Sequence, residues 1–110
     1  MTTIHVKRDG QRDLKFDGEL IAEVSSHLSR GERQNRWTEM ELYKTQSGKF
    51  VVAIKGITIW QGEHDRYRGH VCGSTMQLVG TLIEDNGEGK LSWLAKELLD
   101  KAGIDSAEEV

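Results

Sequence analysis

The sequence predicts an α+β domain, an antiparallel β-meander of four to five strands followed by two C-terminal helices packed on one face of the sheet. Three stretches carry this expectation. Residues 37–45 (WTEMELYKT) alternate in polarity residue by residue, as a half-buried strand does. Residues 50–60 (FVVAIKGITIW) are rich in β-branched side chains and apolar on both faces apart from Lys55 and Thr58, which marks an internal strand. Leu91, Leu94, Ala95, Leu98, Leu99 and Ala102 recur at helical spacing along one stripe. Strand signals come first and helix signals after, the order of an α+β fold rather than of alternating βαβ units.

Taken in chain order, Thr3–Lys7 reads as a short strand, and Asp9-Gly10 supplies a tight turn after it. Residues 12–26 form a longer extended stretch in which Leu14, Phe16, Leu20, Ala22 and Val24 share parity. Asp17-Gly18 interrupts it and predicts a bulge or bend. Glu19–Ser26 also contains good helix formers, but its alternation continues that of Leu14 and Phe16, which favours strand. The two stretches already named follow, joined by the turn Gln46-Ser47-Gly48-Lys49, and His70-Val71-Cys72 predicts a short last strand. Ser74 with Gln77 three residues on fits a capping box at the start of the first helix. Asp85-Asn86-Gly87-Glu88-Gly89 breaks the two helices apart, and Gly103 is a natural stop for the second.

A length of 110 residues suits one domain, expected over residues 1–104, with 105–110 as a short acidic tail. The formal charge of −3 argues against non-specific coating of nucleic acid. Residues 1–83 hold 12 Lys/Arg against 10 Asp/Glu, whereas residues 84–110 hold 3 against 8, so the chain is electrically polarised. The single cysteine, Cys72, excludes an intrachain disulfide, and the N-terminal residues lack an apolar signal core. A soluble protein of the cytoplasm, with no membrane partner, is the expectation.

Two polar segments stand out. Residues 31–37 (GERQNRW) and 60–70 (WQGEHDRYRGH) join arginines to aromatic rings, and each lies between strand-like stretches. In a meander, alternate connections share an end of the sheet, so the two segments are expected to meet. The candidate binding residues are Arg33, Arg36, Trp37, Trp60, His64, Arg66, Tyr67 and Arg68. Guanidinium groups bind carboxylates and phosphates through a planar fork and stack on rings, while tryptophan and tyrosine anchor interfaces or stack on bases. The plainer alternative is an internal network of arginines with Glu32, Glu63 and Asp65 that braces the loops.

Catalytic signatures are weak. His64, His70 and Cys72 are metal-ligand types, but the spacing His-x5-His-x-Cys matches no strong zinc pattern. Cys72 stands two residues before a helix start with His70 nearby, yet no orienting acid or oxyanion site can be assigned to the pair. Glu39 and Glu41 share a strand face beside Trp37 and Tyr43, and solvated strand polarity accounts for them. No phosphate-binding glycine loop, dinucleotide fingerprint, nucleophile elbow or HExxH pair occurs. No cofactor and no metal are expected.

The string GERQNRWTEMELYKTQSGKFVVA, followed by TIWQGEHDRYRGHVC and the helix LAKELLDKAG, resembles a group of small uncharacterised bacterial proteins associated with plasmids and other mobile elements. The likeness covers most of residues 15–103, and its motifs carry no catalytic assignment. It implies a bacterial cytoplasmic accessory protein, and by analogy with small mobile-element proteins, which often act by binding host macromolecules, binding gains over catalysis. The leading expectation is therefore a non-enzymatic module whose Arg/aromatic loops recognise a host or element-encoded protein, or another anionic partner. A nucleic-acid-binding regulator using the same loops is the alternative, and a Cys-dependent enzyme the third reading. A homodimer through an exposed strand edge or the Trp93 side of the last helix is also open.

Overall fold

The computed structural model of the chain describes residues 2–27 and 35–106. Five strands, β1 (Thr2–Val6), β2 (Leu14–Ser25), β3 (Arg36–Thr45), β4 (Phe50–Thr58) and β5 (Arg66–Cys72), form one antiparallel sheet in the order β1-β2-β3-β4-β5. Two helices, α1 (Thr75–Asn86) and α2 (Trp93–Lys101), follow. The α+β class, the meander and the helix pair agree with the sequence expectation.

Alternation sorts the strands into two faces. Val24, Met40, Leu42, Val52, Ile54 and Cys72 face the helices and form the main core with Leu78 and Leu82 of α1 and Leu94, Leu98 and Leu99 of α2. Sealing a leucine or isoleucine away from water contributes about 1.5–3 kcal/mol, so the stripe on α2 is a principal reason the helix exists at nine residues. Each helix starts at a serine. The Ser74 hydroxyl accepts from Gln77 N (3.1 Å) and the Ser92 hydroxyl from Ala95 N (3.1 Å). Gln77 reaches back to donors before the helix, as a capping box requires, but its Oε1 takes Gly73 N at 2.6 Å, one residue short of the cap.

The opposite face is an inner one, because the sheet curls into a half-barrel. Although β1 and β5 stand at opposite ends of the strand order, Asp9 N donates to Tyr67 O (2.9 Å) and Tyr67 N donates to Asp9 Oδ2 (2.9 Å). The hairpin of β1 and the first half of β2 thus folds over the sheet. Val6 packs on Val51 and Ala53, with Ile4, Leu14, Phe16 and Tyr43 around them, and the Phe16 and Tyr43 rings meet edge to face at 5.6 Å between centroids. This cover explains why β4 is apolar on both faces. Two glycines permit the close approach: a Cβ on Gly18 would stand 2.5 Å from Lys44 O, and one on Gly69 would stand 2.9 Å from Val6 Cγ1.

Two local expectations shift. The register irregularity in β2 lies between Leu20 and Ala22 rather than at Asp17-Gly18, because Gly18 stays paired with Thr45 and serves the close crossing. The last strand begins at Arg66, not His70. Its first residues pair with Gly56 and Lys55 of β4, and Asp9 holds the backbone of Tyr67, so polar residues are drawn into the sheet by main-chain bonds.

Candidate functional site

The start of β3, the end of β4 and the start of β5 converge at one end of the sheet. Arg36 pairs with Thr58, Gly56 with Arg66, and Ile59 N donates to Asn35 O at 2.9 Å. The described ends of the two polar segments therefore meet. Arg33, with Arg30 and Glu32, lies outside the described residues.

The turn between β4 and β5 is shaped by its own carboxylates. Asp65 Oδ1 accepts from Thr58 N (2.9 Å), and Glu63 Oε1 accepts from the Thr58 hydroxyl (2.6 Å). Glu63 then clasps Arg36 through two bonds, Nε to Oε1 at 2.9 Å and Nη2 to Oε2 at 2.5 Å. Hydrogen bonds from Arg36 and Thr58 pull the Glu63 carboxyl down to about 2, and the same pairing raises the Arg36 guanidinium above its ordinary value. The Arg36 guanidinium also lies 6.0 Å from the ring centroid of Trp60, an indole that is 53% exposed.

Strand alternation separates the other candidates. Register places Arg36, Arg66 and Arg68 with Gly56 and Thr38 on the helix-bearing face, and Trp37 and Tyr67 with Glu39 and Lys55 on the inner face. Arg68 makes a bidentate pair with Asp85 of α1 (2.8 and 2.9 Å), and His70 Nε2 lies 3.3 Å from the same carboxylate. Burial acts to raise the Asp85 carboxyl, but Arg68 and His70 outweigh it and leave it lowered. On the inner face, Trp37 Nε1 donates to Glu39 Oε2 (2.8 Å), and its ring lies 4.3 Å from that of His27. Lys7 Nζ sits 4.7 Å from the Tyr67 ring centroid. His64 is exposed in the turn.

A groove of about 1290 Å³ lies between this end of the sheet and the two helices. Arg36, Arg66, Arg68 and the turn residues Glu63, His64 and Asp65 line it together with apolar Met40, Leu82, Leu94 and Trp93. Trp37 also borders it. The contribution of α2 was not among the loop candidates. Its signal in the sequence is Trp93 itself, a large ring one position off the Leu91/Leu94/Leu98 stripe, which on a helix means a face turned away from the core.

The remaining chemistry-bearing groups are held elsewhere. Cys72 is fully buried under α1, with Sγ 3.5 Å from the Thr81 hydroxyl, and His70 engages Asp85 rather than the thiol. Among the described residues no group of three or more His, Cys, Asp and Glu side chains could hold a metal ion. On the inner face, Glu41 accepts from Lys55 Nζ (2.5 Å) and the Tyr43 hydroxyl (3.0 Å). Burial together with Glu41 and Glu23 raises the Tyr43 phenol, and burial of Lys55 is outweighed by Glu41 and Glu39, so its ammonium is also raised.

Comparison of the chain with protein-family models, with curated proteins and with solved structures finds no match. Among the described residues no helix is long and apolar enough to cross a membrane.

Proposed function

We propose that this chain is a non-enzymatic binding protein that recognises a protein partner through the groove at the open end of its half-barrel. The observation that carries this reading is the company of exposed rings and self-paired charges there. Ile59, Trp60 and Trp93 are all large and 45–64% exposed. They border or flank a concave surface whose arginines Arg36 and Arg68 are already held in bidentate pairs. Tryptophan, methionine and arginine are the residues enriched where proteins bind one another, and arginines held in place lose less entropy on binding. The mobile-element setting of the bacterial proteins that this sequence resembles belongs to the same proposal, as an accessory role exercised by binding.

The nucleic-acid alternative is the weaker one. Three arginines line the groove against Asp9, Glu63, Asp65 and Asp85, a balance that does not favour a polyanion. The test is affinity capture from bacterial lysate with the wild type and with Trp60→Ser and Trp93→Ser variants, each checked for folding. The expected result is a stoichiometric protein retained by the wild type and lost from both variants. Equal recovery from all three removes the groove as the site. Retention of oligonucleotides that falls steeply with added salt replaces this reading with the nucleic-acid one.

A further inference from the structure

We infer that the groove receives a largely apolar segment of its protein partner that carries one acidic residue, its carboxylate seated on Arg66 beside an apolar side chain; this rests on the protein-binding reading above. The ground is which groups are already engaged, rather than the formal charge. Four carboxylates border the groove, and each already accepts a hydrogen bond: Asp9 from Tyr67 N, Glu63 from Arg36 and Thr58, Asp65 from Thr58 N, and Asp85 from Arg68. Arg36 and Arg68 are committed to two of them. The side chain of Arg66 makes no hydrogen bond or ion pair among the described residues, its charge acting only at longer range to lower the Glu63 carboxyl, and the side chain of His64 makes none either. A cationic ligand finds only Asp9 and Asp65 without an arginine partner, and meets Arg36, Arg66 and Arg68 in the same lining. An anionic one finds a guanidinium fork with its donors uncommitted.

Position narrows the ligand further. Arg66 pairs across the sheet with Gly56, so bare backbone lies beside it, and even a Cβ there would approach no closer than 3.7 Å to Arg66 Cβ. Met40, Leu94 and Trp93 line the same groove. A carboxylate on Arg66 thus places the neighbouring residues of its chain in a groove with apolar lining. One guanidinium and one imidazole, set among four fixed carboxylates, suit a single acidic residue flanked by apolar ones. A run of phosphates would meet those carboxylates instead.

A random peptide library displayed on phage and selected on the wild-type protein tests this. Selected peptides are synthesised with each acidic residue and with its amide counterpart, then titrated into the wild type and Arg66→Gln while the Trp93 indole and Arg66 Nε resonances are followed. The expected peptides carry an acidic residue beside an aromatic or aliphatic one and perturb both resonances. Changing that acid to its amide weakens binding about tenfold or more, as losing a charge-assisted hydrogen bond does. In Arg66→Gln the same change has no further effect. Peptides that perturb Trp93 but bind Arg66→Gln as well as the wild type overturn the carboxylate assignment and leave the protein-binding reading standing. If no peptide perturbs the groove, or if oligothymidylate does so in its place, both proposals fall.

Discussion

Replacing Gly56 by valine separates the stability of the sheet from the use of the groove, because the two move in opposite directions. Gly56 lies in the interior of β4, paired with Thr38 and Arg66, and its φ is not positive, so the position makes no demand that only glycine meets. An added Cβ would find Arg66 Cβ at 3.7 Å and Arg66 O at 4.0 Å, ordinary van der Waals contact. Glycine within a strand is about 0.5–1 kcal/mol less stable than alanine, and β-branched residues do as well or better on a pleated surface. Gly56→Val should therefore gain on the order of 0.5–1 kcal/mol, which for a domain near this size raises Tm by roughly 2–8 °C. The valine methyls project onto the bare strip beside Arg66, so groove-directed peptides should bind about tenfold more weakly or not at all. Circular-dichroism melts and peptide titrations on one preparation give both quantities. A lower Tm would refute the open floor, and unchanged peptide affinity with a raised Tm would show that ligands do not touch it.

Leu98→Ala removes a fully buried side chain from the helix-facing core and should cost about 2–5 kcal/mol in urea unfolding; a loss below 1 kcal/mol would mean that α2 is not seated there. Gly18→Ala forces a Cβ towards Lys44 O at 2.5 Å and should destabilise by about 1–3 kcal/mol. Gly80→Ala, which meets nothing within 4 Å on α1, should instead stabilise by about 0.5–1 kcal/mol, and the contrast between the two is read from paired melts. The Glu63–Arg36 clasp has a defined pH window. Glu63 is held at about 2 against an ordinary 4.5, so its folded value is depressed. Its contribution is present above the ordinary value and is lost as pH falls from there through about 2. A carboxyl 13C titration of Glu63 with a midpoint near 4.5 would show that the clasp does not form in solution.

What could be read from the sequence, and what could not, follows from how far each signal reaches. The strand pairs from β2 to β5 join neighbours in sequence, and alternation in WTEMELYKT or the stripe from Leu91 to Ala102 is local, so the meander and helix pair emerged directly. The curl was hidden because it depends on long-range contacts: Asp9 reaching Tyr67, and Val6 reaching Gly69. The double-sided apolarity of β4 is its trace in the sequence, and it fits an internal strand as well as it fits one covered by the β1–β2 hairpin. Strand β5 was underestimated for a similar reason, since RYRGHVC has too little apolar content to announce itself and is recruited by main-chain bonds to β4. That error matters for the site. Once Arg66, Tyr67 and Arg68 stand on a strand, period-two alternation must send Tyr67 to the face opposite the two arginines, as it sends Trp37 away from Arg36.

This division of faces bears on why binding is favoured over catalysis. Glu39, Glu41, Lys55 and Tyr43 bring titratable groups together on the inner face. A lysine acting as a base needs its ammonium lowered towards neutrality, yet Glu41 and Glu39 raise Lys55 despite its burial. A tyrosine serving as a proton donor needs its phenol lowered as well, and burial beside Glu41 and Glu23 raises it. Cys72 is sealed in the core, and His70 is drawn to Asp85. Lys55 and Tyr43 thus hold their protons more tightly than usual, while Arg66 and His64, whose side chains make no hydrogen bond or ion pair among the described residues, stand in an open groove that Trp93 also lines. Such a distribution supports the proposed binding role.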